Sequence, residues 1–182
     1  MRTIGVGLSR LTLEQGDVTR LGRHVGAIVN AANESLRAGG GVCGAIHRAG
    51  GRAIQDACYQ IGQCATGSAV ATTAGFLDAD AVIHAVGPVW NGGTHDEDQL
   101  LASAYATSLE IAEQRGLASI AFPSISTGIY GFPIERAARV AVETVAGALI
   151  RQPLVREAIF VVFSDADYQV YDDALGRWVV SV

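Results

Sequence analysis

A layered α/β fold, with helices covering both faces of a mixed central sheet, is what this 182-residue chain predicts. Three observations carry the prediction. Short apolar runs alternate with longer stretches of helical period. Glycine clusters follow the ends of several runs. The run EAIFVVF (residues 157–163) shows no polar alternation, as expected of a strand buried on both faces. A strand-rich N-terminal stretch before much helix favours a mixed sheet over a purely parallel one.

The elements follow in order. LTLEQGD (residues 11–17) and AIVNAAN (residues 27–33) read as strands with polar ends. From Val42 to about Ile61 a helical stripe runs through Val42, Ala45, Ile46, Ala49, Ala53, Ile54, Ala57 and Ile61, with Gly50-Gly51 as a break or kink. GSAVATTA and AVIHAV are further strands. A helix from about Asp96 to Arg115 places Leu101, Ala104, Tyr105, Ser108 and Ala112 on one face, with Gly116 as its C-cap. ASIAFP is the next strand. Pro133 then opens a helix whose stripe is Ile134, Ala137, Ala138, Ala141, Val145 and Leu149.

Composition narrows the function. The chain is 49% hydrophobic and 17% charged, which fits one globular domain spanning residues 1–182. Eighteen acidic against 13 basic residues give a net charge of −5. No basic stripe appears, which disfavours nucleic acid as a general partner. No apolar run approaches membrane-spanning length and the N-terminus lacks a signal-peptide pattern, so the expectation is a cytoplasmic, monomeric protein. Cys43, Cys58 and Cys64 form no CxxC pair, so three reduced thiols are expected.

The informative feature is a repeated logic. AIVNAAN leads through ESLRAGGG into one helix, and ASIAFP leads through SISTGIYGF into another. In open α/β sheets ligands bind beyond the carboxyl ends of strands, where loops meet helix N-termini. Two such loops together offer N–H donors to two adjacent phosphates, which points to a nucleoside diphosphate. Gly39-x-Gly41-x-x-Gly44 formally matches the dinucleotide fingerprint. However, the strand ends about eight residues earlier, where that fingerprint needs a tight turn, and no acidic residue closes a second strand. A P-loop is absent, because no glycine loop runs into Lys-Ser or Lys-Thr. Cys43 and His47 have the i,i+4 spacing of metal ligands, but no further ligand is visible, so no metal and no cofactor are expected.

Taken together, GDVT, AIVNAANESL, GGGVCGAIHRAGG, VIHAVGPVW and IAFPSISTGIYGFP resemble a macrodomain of the MacroD type, an ADP-ribose-binding module. The likeness runs from about Leu11 to Phe163 and implies a three-layer α/β/α fold. It also implies that Asp17, with the Val18 N–H beside it, accepts a hydrogen bond from the adenine amino group; read from the residues alone, Asp17 could instead cap a short turn. Gly40, Gly41 and Val42 resemble part of the first phosphate loop, with Asn30 and Ala31 leading towards it. Ser126, Thr127, Gly128, Ile129 and Tyr130 resemble the second, Tyr130 packing on the distal ribose. Phe163 matches an aromatic placed against adenine, and ordinary core is the alternative. Asn33 matches the asparagine that binds the distal ribose and orients water. Asn30 has a structural alternative, tying the loop. His47 matches a histidine near the site, or is a satisfied helix histidine; His84 reads as a strand-core histidine.

One residue departs from the pattern. MacroD-type hydrolases usually carry aspartate after GGGV, and here Cys43 stands in that place. The thiol could fill space while Asn33 and a substrate phosphate carry hydrolysis, could act as a thiolate at a helix N-terminus, or could leave a site that only binds. Some viral macrodomains lacking the aspartate are similar and still cleave. The resemblance therefore implies a hydrolase with Asn33, Cys43 and His47 at its centre. It would act on mono-ADP-ribose esters of Glu or Asp in modified proteins and on O-acetyl-ADP-ribose. The alternative is a non-catalytic ADP-ribose reader.

Overall fold

The computed structural model describes the backbone of residues 1–181 and the side chains of residues 1–179. Seven strands, β1 Arg2–Val6, β2 Ser9–Gln15, β3 Val25–Ala31, β4 Ala69–Thr73, β5 Ala79–Ala85, β6 Ser119–Phe122 and β7 Glu157–Val162, form one sheet in the order β1-β2-β7-β6-β3-β5-β4. The five central strands are mutually parallel, and β1 and β4 close the edges antiparallel. The mixed sheet expected from the sequence is what forms.

The helices are α1 Gly41–Gly50, α2 Arg52–Ile61, α3 Glu97–Gln114, α4 Ile134–Arg151 and α5 Asp165–Ser181. Alternation along the strands decides which helices each side chain meets. In β3, Ile28 packs with Ile46 and Ile54 of α1 and α2, whereas Ala27 and Val29 join the cluster of α3, α4 and α5. In β7, Ile159 and Val161 face the first pair, while Ala158, Phe160 and Val162 face the second group. The result is three layers, with an aromatic knot of Tyr105, Phe122, Phe160 and Tyr171 in the larger core.

Local breaks follow the backbone chemistry. The expected 42–61 helix is cut in two at Gly51, whose φ of +82° ends α1. Gly116, at φ +67°, terminates α3, and Pro133 sits at the N-cap of α4. Two elements were not anticipated. β1 pairs with β2 as an edge hairpin, and α5 lays Tyr171 and Leu175 into the core. No described helix is long and apolar enough to cross a membrane.

If α5 is integral to the larger core, Leu175→Ala will cost about 2–5 kcal/mol, the range for a buried leucine truncated to alanine. Urea unfolding checks this, and an unchanged midpoint would mean the helix is an appendage.

Candidate functional site

Because β2, β7, β6 and β3 run parallel, their carboxyl ends finish at one edge, and the chain leaving them must turn there. A cavity of about 630 Å³ opens at this edge. Its walls are residues 16–18 after β2, Phe163 after β7, residues 123–130 after β6 and residues 31–33 at the end of β3. Residues 39–43, at the start of α1, close it. Two loops press together across the mouth: a methyl group on Gly40 would lie 3.3 Å from Cδ1 of Ile129. Behind them, a methyl group on Gly87 would meet the Ser126 hydroxyl and, at 2.6 Å, Cγ2 of Ile125. Only glycine fits there.

One end of the cavity carries an aromatic ring and a carboxylate, Phe163 and Asp17. Phe163 is 82% exposed at the strand end, so it is not core, and it lines the cavity. Asp17 is exposed too, not the buried carboxylate that adenine recognition suggests. Its Oδ1 accepts from the Thr19 N–H at 2.9 Å and the Thr19 hydroxyl at 2.7 Å. The Thr19 hydroxyl bond, aided by the Thr19 N–H and Arg20 against partial burial, holds the carboxyl below its ordinary range. Asp17 thus both organises its turn and keeps Oδ2 for an external donor.

The middle of the cavity is lined by backbone donors. The Phe132 N–H closes the second loop on the Ser126 carbonyl at 3.0 Å, and the Gly131 N–H bonds the Gly128 carbonyl at 2.9 Å. Ser126 takes φ +66° to make that turn. Among the described residues, no protein acceptor takes the N–H groups of residues 126–130. Opposite them, Gly41, Val42 and Cys43 are the first turn of α1, whose N–H groups have no intrahelical acceptor. Two donor sets face one cavity, and neither carries a cationic side chain.

The other end holds Asn33, Cys43 and Tyr130. The Asn33 carboxamide clamps its own loop: Nδ2 donates to the Arg37 carbonyl at 2.8 Å, while Oδ1 accepts from Ser35 Oγ at 2.8 Å and the Arg37 N–H at 3.1 Å. Cys43 is 6% exposed; its Sγ donates to the Arg37 carbonyl at 3.6 Å and accepts from Asn30 Nδ2 at 3.6 Å. Tyr130 is half-buried, and burial raises its phenol.

The chain matches the family described as Macro domain over residues 29–141. The chain belongs to the macro domain family. It is 51% identical over 171 residues to a protein of Escherichia fergusonii named O-acetyl-ADP-ribose deacetylase, covering 92% of this chain and 96% of that one. Among solved structures, the Oceanobacillus iheyensis macrodomain with ADP superposes at a TM-score of 0.94, with 36% identity, over 100% of this chain and 97% of that one. The Trypanosoma brucei macrodomain in complex with ADP-ribose superposes at 0.85, with 35% identity, over 91% of this chain and 69% of that one.

Within this macro domain two expected site residues lie elsewhere. His47 and Asn30 do not line the cavity. Register explains Asn30: it sits opposite His84 in the parallel β3–β5 pair, so both side chains face the α1–α2 layer. Its Nδ2 contacts His84 Nδ1 at 3.1 Å, so it ties side chains rather than loop backbone. His47, one turn past Cys43, points the same way and packs on the His84 ring at a centroid distance of 6.0 Å. Cys58 of α2 completes the group, its Sγ 3.6 Å from His84 Nε2.

Ligand atoms of His47, Cys58 and His84 lie within 4.8 Å of one another, so the histidine that the sequence paired with Cys43 instead groups with Cys58. Both His84 nitrogens are engaged, Nδ1 by Asn30 and Nε2 by the Thr72 hydroxyl at 2.8 Å. Burial, with Cys43 nearby, pushes the Cys58 thiol up to about 11. The cluster is a neutral packing network. Residues that sequence reasoning missed are Ser124, Gly87 and Asp167, the last carried by the unanticipated α5.

Burial, and then His47 beside it, lowers His84 from 6.5 to about 4; burial lowers His47 in the same sense. Folded protein therefore binds fewer protons than the unfolded chain between these values, so stability is full above about pH 6.5 and declines as pH falls towards 4. Between pH 7 and pH 5 His84 accounts for about 2 kcal/mol of this loss, so urea unfolding at the two pH values should show the wild type losing about 2 kcal/mol more than His84→Gln. Exposed His24, raised by Asp78 and Asp80, titrates in the opposite sense but identically in both proteins. Equal losses would remove His84 as the cause.

Proposed function

We propose that this macro domain binds ADP-ribose in the cavity and hydrolyses esters at C1″ of the distal ribose, both on Glu or Asp side chains of proteins and in O-acetyl-ADP-ribose. One observation carries the reading: residues 126–130, whose N–H groups have no protein acceptor among the described residues, line a single cavity together with the first turn of α1. Such donors suit the two phosphates of a diphosphate. Adenine then lies against Phe163, with its amino group donating to Asp17 Oδ2. The distal ribose meets Tyr130, Asn33 and Cys43. The relatives named O-acetyl-ADP-ribose deacetylase and the neighbours holding ADP or ADP-ribose support this choice of ligand.

The chemistry is a displacement by water. A bond forms from water oxygen to C1″ as the bond to the acyl oxygen breaks, and the electron pair leaves on the carboxylate. Asn33 is held rigid by Arg37 and Ser35, so its remaining Nδ2 hydrogen has a fixed direction in which to donate to ribose or water. No carboxylate lines the Cys43 end, because Asp17 and Asp167 belong to the Phe163 end. A phosphate oxygen of the substrate accepts the proton, and catalysis rests mainly on orientation.

Cys43 favours a second reading, a reader that binds ADP-ribose without turning it over. A thiol accepts hydrogen bonds weakly and cannot take a proton as a carboxylate does.

Release of ADP-ribose from a mono-ADP-ribosylated glutamate peptide separates the two, with affinity followed by calorimetry. The wild type is expected to turn over, and Asn33→Ala to lose about a hundredfold in kcat, the scale of losing reactant orientation. If the wild type binds but stays silent and Cys43→Asp cleaves, the protein is a reader.

Asp17→Ala should weaken ADP-ribose binding about tenfold to a hundredfold, as expected for a bond to a charged acceptor. Unchanged affinity would remove the adenine assignment.

A further inference from the structure

A second cleft, of about 600 Å³, meets the first where Asn33, Gly87 and Tyr130 form a common wall. Its remaining lining includes Glu34, Thr66, Val89, Asn91, His95 and Glu97. Resting on the ADP-ribose reading above, we propose that this cleft receives the polypeptide to which the ribose is attached, and that it favours a lysine or arginine beside the modified carboxylate.

Position comes first. The shared wall lies at the ribose end of the main cavity, away from Asp17 and Phe163. Whatever is joined to C1″ leaves the ribose beside Asn33 and Tyr130. Size comes next. A volume of about 600 Å³ corresponds to roughly 20 waters of liquid. An acetyl group fills a small part of that space, whereas a glutamate side chain with its neighbours fills most of it.

The walls are also preorganised. Glu97, 2% exposed, accepts the N–H groups of Asn91 at 2.9 Å and Gly93 at 3.0 Å on Oε1 and that of His95 at 2.7 Å on Oε2. Burial opposes its ionisation, but these bonds overcome it and hold its pKa at about 2. The carboxylate therefore fixes the 91–97 loop as one rigid wall. Glu34 is pinned in turn: its Oε1 accepts the Thr66 hydroxyl at 2.7 Å and the Thr66 N–H at 3.1 Å. These bonds hold its carboxyl below the ordinary range and leave Oε2 without a hydrogen bond among the described residues.

Charge sets the preference. The lining holds two carboxylates and no lysine or arginine. A flanking cation gains from this field, and an acidic neighbour is repelled. A strand of nucleic acid would place phosphates against the same carboxylates, so a polypeptide is the better occupant.

The test compares three substrates: ADP-ribosylated glutamate peptides with lysines or with aspartates flanking the glutamate, and O-acetyl-ADP-ribose. Wild-type kcat/KM is expected to favour the lysine peptide about threefold to fivefold, the range of one solvent-screened ion pair. Glu34→Lys should erase or invert that preference. Val89→Trp, which fills the cleft from a half-exposed position, should cut both peptides about tenfold through displaced ribose geometry while leaving O-acetyl-ADP-ribose within twofold. No flank preference in the wild type, or a parallel loss on all three substrates, would overturn the proposal.

Failure of the hydrolase reading looks different, since the wild type would then cleave none of the three. Calorimetry of the intact conjugates decides in that case. Tighter binding of the lysine conjugate than the aspartate conjugate, lost in Glu34→Lys, upholds the cleft. Equal affinity of both conjugates sinks it.

Discussion

Parallel strands that release their chains at one edge are the constraint on which the rest of this structure depends. Parallel pairing of β2, β7, β6 and β3 leaves each of them needing a connection at the same end, and those connections become the cavity walls. Backbone groups that leave a sheet there have lost their ladder partners. In residues 126–130 the turn is closed by bonds from Gly131 and Phe132, so the loop is held while its own N–H groups find no acceptor among the described residues. Glycine makes the arrangement sterically possible at Gly87 and Gly44, where a methyl group would meet Ser126 and the Gly39 carbonyl respectively. A chain of net charge −5 can in this way present a cavity to an anion. Dipoles, not side-chain cations, supply the attraction, so it acts at contact and steers little from a distance.

The layer beneath the cavity has a different logic. Asn30, His84, Thr72 and Cys58 form a buried set in which each group is neutral and most are paired. Cys43 sits at the boundary, buried like that network yet lining the cavity. Its thiol is a weak partner for Asn30 Nδ2, and the Asn30 Oδ1 lacks any partner among the described residues. An aspartate at this position would accept the Asn30 N–H strongly but would bring a charge next to buried histidines. Thiol at residue 43 therefore trades a strong acceptor for a lower desolvation cost.

Much of this was legible in the sequence, for local reasons. Gly51 broke the long helical stripe because its backbone takes a positive φ, and Pro133 marked the start of α4 because it lacks an N–H to satisfy. The two glycine loops declared themselves by sitting between a strand and a helix. What stayed hidden depends on pairing. Asn30 looks like a strand-end residue tied to the site loop until the β3–β5 register sets it against His84, and His47 looks like a site residue until α1 turns it towards Cys58. α5 was missed for a different reason. Tyr168, Tyr171, Leu175 and Trp178 are spaced as a helical stripe, but the intervening aspartates and a glycine mask it, and with it Asp167 at the cavity.

Asn33 links these levels. Its carboxamide spends both ends on the loop of residues 33–37, and the same loop gives Arg37's carbonyl to Cys43. A side chain locked in this way makes a poor base and a good compass: it has no basic site to accept a proton, but its free N–H points in one direction. Orientation by a rigid donor works with a thiol neighbour as well as with a carboxylate, because the donor's aim is set by Arg37 and Ser35 and not by residue 43. Under the hydrolytic reading, the loss of the usual aspartate therefore removes one acceptor from the water's surroundings and leaves its positioning intact. The barrier then depends on how well the substrate's own phosphate takes the proton, which places the burden of catalysis on the loop of residues 126–130 that holds that phosphate.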